Sequence, residues 1–83
     1  MFYTYIIYSP RLERYYVGST NNLQRRLEDH NRGKDKYTRK GFPWALKYSE
    51  TFPSRAEAYS REFEIKLKKS RSYIEQLILS QKH

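Results

Sequence analysis

The sequence predicts an α/β chain of the α+β kind: a small three-stranded, largely antiparallel sheet flanked by helices, in the order β-β-α-β-α-α. Three observations predict it. The N-terminal residues hold two runs rich in aromatic and β-branched side chains, separated by a turn signal. One amphipathic segment is bracketed by Asn before it and Gly after it. Two later segments each open on a Ser-x-x-Glu pattern, the signature of a capped helix start.

Residues 2–8 are apolar on both alternating faces, with Tyr3, Tyr5 and Ile7 on one and Phe2, Ile6 and Tyr8 on the other beside Thr4. A strand covered on both sides needs that pattern. Ser9-Pro10-Arg11 breaks it, and Arg14 to Ser19 reads as a second strand close enough to complete a hairpin. Gly18 lets another backbone or a ligand approach closely. Leu23 to His30 is the first helix, preceded by Asn21-Asn22 and closed by Asn31-Arg32-Gly33. A basic loop over 34–43 leads to a third strand, Trp44 to Phe52, in which Leu46 and Tyr48 alternate with Lys47 and Ser49. Ser54-Arg55-Ala56-Glu57 and Ser72-Tyr73-Ile74-Glu75 open the last two helices. Periodicity leaves the strand order open.

With 83 residues the chain has room for one domain, 1–83, and no separate regulatory unit. A hydrophobic content of 37% makes the core thin, while nine Tyr supply large buried area per residue and argue against disorder. Cys is absent, which excludes a disulfide framework and a Cys-based zinc site. No apolar run is long enough to span a bilayer, and the N-terminus lacks the pattern of a secretory signal, so a cytoplasmic protein without a membrane partner is expected. The net charge of +8 is concentrated: residues 32–40 carry +4, residues 66–71 carry +4, and the remainder sums to zero. Two basic segments on an aromatic-rich domain suit a polyanionic partner such as nucleic acid, or simply a solvated basic surface.

Polar residues on apolar faces mark the candidate site. On the first helix Arg26 and His30 lie beside the Leu23–Leu27 stripe as i,i+4 neighbours. A guanidinium next to an imidazole can grip a phosphate; alternatively Arg26 snorkels and His30 is a satisfied residue of the last turn. On the helix after Ser54, Tyr59, Phe63 and Ala56 form one side of the core arc, Ala58 and Ile65 the other, and Glu62 falls between them. A carboxylate inside such an arc is functional or paired, and Lys66 stands one turn on for an ion pair. A lone carboxylate can hold one hydrated Mg²⁺ or Mn²⁺ when phosphate oxygens complete the shell. Tyr5 and Tyr16 complete the candidates; a phenol acts as a base near neutral pH only where cations stabilise its anion.

These residues resemble the GIY-YIG nuclease family. Tyr16-Val17-Gly18 takes the YIG place, and Tyr3-Thr4-Tyr5 takes the GIY place with Tyr5 as its functional Tyr. Arg26 and His30 match the family's helix Arg and a His found in many members, and Glu62 in Arg61-Glu62-Phe63-Glu64 matches the metal-binding Glu. The likeness spans nearly the whole chain, including Tyr37-Thr38-Arg39 and Pro43-Trp44, and is nearest to short stand-alone bacterial members that look like the N-terminal nuclease domain of the excision-repair endonuclease subunit. Two positions depart: Tyr3 stands for the first Gly of GIY, and no Asn follows Asn31, whereas many members carry one downstream of the metal Glu. The resemblance implies a metal-dependent endonuclease acting on nucleic acid, DNA before RNA, by structure and not by sequence. Glu62 would hold one divalent ion, Mg²⁺ or Mn²⁺. Tyr16 with Tyr5 would take a proton from the attacking water, Arg26 would stabilise transition-state charge, and His30 would position a Tyr or shuttle a proton. Lys34, Lys36, Arg39, Lys66 and Lys69 would hold the substrate backbone, with a protein partner supplying any targeting. The competing expectation is a non-catalytic nucleic-acid-binding module on the same fold.

Overall fold

The computed structural model describes residues 1–81. Strands β1 (Phe2–Ser9) and β2 (Arg14–Thr20) form an antiparallel hairpin with Tyr5 opposite Gly18 and Ile7 opposite Tyr16. Strand β3 (Ala45–Phe52) pairs antiparallel with the other edge of β1, giving the order β2-β1-β3. β1 is therefore the central strand, which is why its sequence is apolar on both faces. Helix α1 (Leu23–Asn31) follows β2, while α2 (Arg55–Lys68) and α3 (Arg71–Leu79) follow β3. The order β-β-α-β-α-α and the antiparallel sheet are as the sequence predicts.

Each face of the sheet carries its own core. On one, Tyr5, Ile7 and Trp44 pack with Tyr16 and with Leu23 and Leu27 of α1. On the other, Ile6, Val17 and Ile65 pack with Tyr15, Tyr48, Tyr73, Ile74 and Leu77. The buried Thr4 Oγ1 donates to the Ala58 carbonyl at 2.6 Å, tying β1 to α2. Arg61 clamps α2 to β3 through a two-pronged pair with Glu50 at 2.9 and 3.0 Å, and reaches the Tyr73 hydroxyl of α3 at 3.3 Å. Such forked geometry fixes orientation as well as distance.

Three local expectations need correction. β3 begins at Ala45 because both backbone groups of Trp44 are taken by one side chain: its N–H donates to Asn31 Oδ1 at 2.6 Å, and its carbonyl accepts from Asn31 Nδ2 at 3.1 Å. The alternation within β3 is broken by a bulge, since Ile6 faces Tyr48 but Ile7 faces Leu46, leaving Lys47 as the extra residue. The cap of α3 is Ser70, whose hydroxyl accepts from the Tyr73 N–H at 3.1 Å. Lys69 ends α2 in the left-handed conformation (φ 48°, ψ 40°), which turns the chain early and places Ser72 inside the first turn of α3.

A fourth correction concerns α2. Ala58 and Ile65 are buried, but Tyr59 and Phe63 are 65% and 60% exposed. The buried line runs through Ala58, Arg61, Glu62 and Ile65, so the polar pair Arg61–Glu62 faces the sheet in place of the two aromatics. Ile65→Ala should therefore cost about 2–4 kcal/mol and Phe63→Ala under about 1 kcal/mol, read from urea unfolding midpoints. Equal losses would contradict this rotation of the helix.

Candidate active site at the edge of strand β2

The site is organised by what lies against β2, an edge strand of the sheet. Gly18 stands opposite Tyr5 in the register, and a Cβ on it would fall 2.5 Å from Tyr5 Oη and 2.7 Å from Tyr5 Cζ. The absence of a side chain lets the phenol lie across β2 and reach α1. There Tyr5 Oη meets His30 Nε2 at 2.9 Å, and His30 Nδ1 meets Thr38 Oγ1 at 2.6 Å. Trp44 Nε1 donates to the Thr38 carbonyl at 2.6 Å, so the buried loop residue that fixes the imidazole is itself fixed. His30 is 0% exposed.

Arg26, one turn before His30, pairs with Asp35 at 2.7 Å. Asp35 also accepts from the Tyr37 N–H at 2.8 Å, which folds the start of the basic loop back onto α1. Tyr16 stands edge-on to His30 with ring centroids 5.2 Å apart, and Lys66 Nζ lies 5.7 Å from the centre of the Tyr16 ring. Glu62 approaches the same strand from the α2 side. Its Oε1 accepts from Ser19 Oγ at 2.8 Å and its Oε2 pairs with Lys66 at 2.6 Å, with 13% of its side chain exposed. All five candidate residues thus gather along β2, Tyr5, Tyr16, Arg26 and His30 on the α1 face and Glu62 on the α2 face, with Lys66 reaching between them.

Burial sets the protonation states. The His30 imidazole is pushed down to about 4, mainly by burial and then by the Arg26 charge, so it is neutral at physiological pH. The Tyr5 phenol is pushed up to about 12 by burial, although Arg26 beside it pulls the other way. Both shifts favour the same resting state, a protonated Tyr5 phenol beside a neutral His30 imidazole. Tyr16 is raised by burial and by Asp35, but Lys66 and Arg26 both favour its anion.

His30 also gives the fold a pH dependence. Its folded-state value lies below the ordinary ~6.5, so the unfolded chain binds the proton first and stability falls as pH drops. Between pH 6.5 and 4.5 the loss should reach about 2–3 kcal/mol, measured as unfolding midpoints across that range. Burial opposes ionisation of Asp35 and Glu50, but Tyr37 and Arg26 at the first and Arg61 and Tyr48 at the second hold them below the usual carboxylate range. Both stay ionised in the folded protein and add to the loss only at the acid end of that window, where the unfolded chain begins to protonate. A flat profile down to pH 4.5 would mean that His30 is not buried as a neutral ring.

The basic residues divide into two groups. Lys34, Lys36 and Arg39 are exposed on the loop after α1, with Lys34 3.7 Å from Asp29. Lys66 is held at Glu62, and Lys69 marks the turn between α2 and α3. Sequence reasoning missed Asp35, Thr38 and Ser19 as partners of Arg26, His30 and Glu62. Among the described residues no three His, Cys, Asp or Glu side chains cluster as a ready metal cage. A single carboxylate suits a hydrated hard cation that takes one protein oxygen and completes its shell with water and phosphate, and at Glu62 such an ion would have to displace Lys66 from Oε2. No helix among the described residues is long and apolar enough to cross a membrane.

The candidate residues Tyr5, Tyr16, Arg26, His30 and Glu62 come from β1, β2, α1 and α2 and gather about the edge strand of a small antiparallel sheet, the arrangement expected of a nuclease-type domain. A family model described as the GIY-YIG catalytic domain matches residues 1–75, and the chain belongs to that family. Its nucleases are generally dependent on a divalent metal, and the domain implies nucleic-acid binding. A UPF0213 protein of Clostridium perfringens is 46% identical over 81 residues, covering 96% of this chain and 85% of its own. A UPF0213 protein of Halobacterium salinarum is 47% identical over 53 residues, covering 63% of this chain and 69% of its own. The solution NMR structure of a UPF0213 protein from Bacillus halodurans aligns with a TM-score of 0.58 and 39% identity, over 94% of this chain and 83% of that one. For some relatives, as in Streptococcus pneumoniae, the match spans only 57% of their length.

Proposed function

We propose that the protein is an endonuclease that hydrolyses phosphodiester bonds in nucleic acid, DNA in the first instance, selecting substrate by structure and not by sequence. The observation that carries this reading is the convergence of Tyr16, Arg26 and the Glu62–Lys66 pair on β2 around a buried Tyr5–His30–Thr38 chain. Arg26 presents a guanidinium where phosphate charge would accumulate, and Asp35 holds it in place. Tyr16, raised by burial and Asp35 but with Lys66 and Arg26 favouring its anion, would first give up its own proton to solvent and then, as the phenolate, take the proton of the attacking water. Tyr5 stays protonated and positions His30 and Arg26. Glu62 would hold the divalent ion, Mg²⁺ or Mn²⁺, which would supply Lewis-acid charge to the reacting phosphate. Ser19 keeps the carboxylate aimed along β2. Lys34, Lys36 and Arg39 flank the site as backbone contacts that carry no sequence information.

The competing reading is a nucleic-acid-binding module without cleavage. It draws support from the two internal pairs, Arg26–Asp35 and Glu62–Lys66, which satisfy the charges of both residues inside the protein. The test incubates purified protein with flap, branched, duplex and single-stranded DNA and RNA, with Mg²⁺, Mn²⁺ or a chelator. Metal-dependent cleavage that is lost in Tyr16→Phe supports the nuclease. Tight binding with intact substrate in every metal condition supports the module.

A further inference from the structure

Beside Tyr16 and Lys66 the surface opens into a groove of about 390 Å³ between β2 and the α2–α3 turn. That volume lies within the ~300–1,000 Å³ range of small-ligand sites. Its floor is apolar, presented by Tyr15, Tyr16 and Ile74 above the buried Val17 and Ile65. Its rim is cationic, with Arg14, Lys66, Lys69 and Arg71, and no carboxylate lines it. Arg14 and Lys69 make no ion pair among the described residues, so their charges are available to a ligand. Arg71 shares its charge with Glu75 at 3.2 Å and lies over the Tyr15 ring, 5.1 Å from its centre.

Lys69 supplies a second, independent observation. It adopts φ 48° and ψ 40° at the end of α2, a conformation that glycine takes without strain and that a lysine takes at a cost. Its side chain is exposed, and its backbone N–H closes the end of α2 on the Lys66 carbonyl, so the lysine side chain itself takes no part in the cap. This left-handed cap turns the chain from α2 into α3 and sets Lys69 at the edge of the groove, where its charge can meet a ligand.

We infer that this groove takes an unpaired nucleotide of the strand that runs away from the Tyr16–Arg26 site. Its base lies on the apolar floor and its phosphates meet Arg14 and Lys69. A paired base cannot present its face to such a floor, so the occupant is a single-stranded segment, and binding to bases in general is expected. The inference rests on the nucleic-acid reading proposed above and goes beyond it by naming where the flanking strand lies. The α2–α3 turn thereby becomes a selector for substrates with an unpaired arm, such as flaps, over blunt duplexes.

The test measures fluorescence anisotropy of labelled single-stranded and blunt duplex oligonucleotides of one sequence, with the native protein, Lys69→Gly, and Lys69→Gly combined with Arg14→Ser. Lys69→Gly should raise the thermal midpoint by relieving the backbone while weakening single-strand binding. The double variant should lose about tenfold in single-strand affinity, lose less on duplex, and lower the salt slope of single-strand binding by roughly 1.4. A rise in midpoint with unchanged single-strand affinity would assign Lys69 no ligand and overturn the inference. Equal losses on both substrates would do the same, as would equal competition by a glutamate-rich peptide of matched charge. Failure of the native protein to bind any nucleic acid would remove the proposed function as well. Native binding and cleavage that the groove variants leave intact would remove the groove alone.

Discussion

Glu62→Gln should abolish metal-dependent cleavage, with a rate loss of about 10²–10⁴, while the protein stays folded and still binds its substrate. The magnitude follows from removing several kcal/mol of charge stabilisation at the reacting phosphate. Folding survives because the amide oxygen can still accept from Ser19, whose hydroxyl lies 2.8 Å from Glu62 Oε1. The substitution also dissolves the pair with Lys66, an exposed cation whose contribution to stability is small. Binding without metal should hold or tighten, because one negative charge facing the phosphates disappears and the Lys66 ammonium is released toward them. The signature is therefore a kinetic loss without an affinity loss, measured by single-turnover cleavage beside anisotropy. A parallel fall in affinity would make Glu62 a structural partner of Lys66, and undiminished cleavage would remove it from the reaction.

That Lys66 partners Glu62 shows how the site is balanced before substrate arrives. Two pairs, Glu62–Lys66 and Arg26–Asp35, hold opposite charges on either side of β2. On the proposed reading each cation would exchange its carboxylate partner for a phosphate of the substrate. The cation of each pair reaches solvent, the Lys66 side chain being 47% exposed and that of Arg26 31%, whereas Glu62 and Asp35 are 13% and 18% exposed. The cations leave readily, but each largely buried carboxylate then needs a new partner, which at Glu62 a bound cation would supply.

How much of this is legible in the sequence depends on whether the interaction is local. The strands, the helices and two of the three helix caps follow from period and punctuation, because Asn22 and Ser54 bond to N–H groups three residues on. Arg26, His30 and Glu62 stand out as polar residues on apolar arcs. Their partners do not. Thr38 and Asp35 come from an irregular basic loop with no periodicity, where Asp35 registers only as one opposing charge. Ser19 lies 43 residues from Glu62 and looks like any strand serine. The central place of β1 requires knowing that β3 pairs with its free edge, which its double-sided apolar pattern permits but does not assign. Tyr59 and Phe63 mislead for a related reason. Hydrophobicity alone turns α2 toward its aromatics, whereas the Arg61–Glu50 fork and the Ser19–Glu62 bond turn it toward the polar pair. A helical projection of one segment contains neither interaction.

Gly18→Ala should disable the site from within by destabilising the fold about 1–3 kcal/mol and lowering cleavage about 10²-fold. A methyl group placed on Gly18 would stand 2.5 Å from Tyr5 Oη, 2.7 Å from Cζ and 3.1 Å from Cε2, far inside contact distance. A flexible side chain would swing away, but this phenol is held: Oη is bonded to His30, and His30 to Thr38. Relief therefore requires either that β1 and β2 separate or that the Tyr5–His30 bond breaks, leaving a buried imidazole nitrogen without a partner. Either movement shifts the support under Arg26 and Tyr16. Tyr5→Phe offers no rescue, because Cζ remains in the way, whereas Tyr5→Leu removes the obstructing atoms. In a double-mutant cycle read by urea unfolding, Gly18→Ala should cost about 1 kcal/mol less in the Tyr5→Leu background than in the native one, while cleavage stays low in both. Additive costs would show that the glycine serves the strand and not the phenol. A fully active Gly18→Ala enzyme would show that the Tyr5–His30 contact is dispensable to the chemistry.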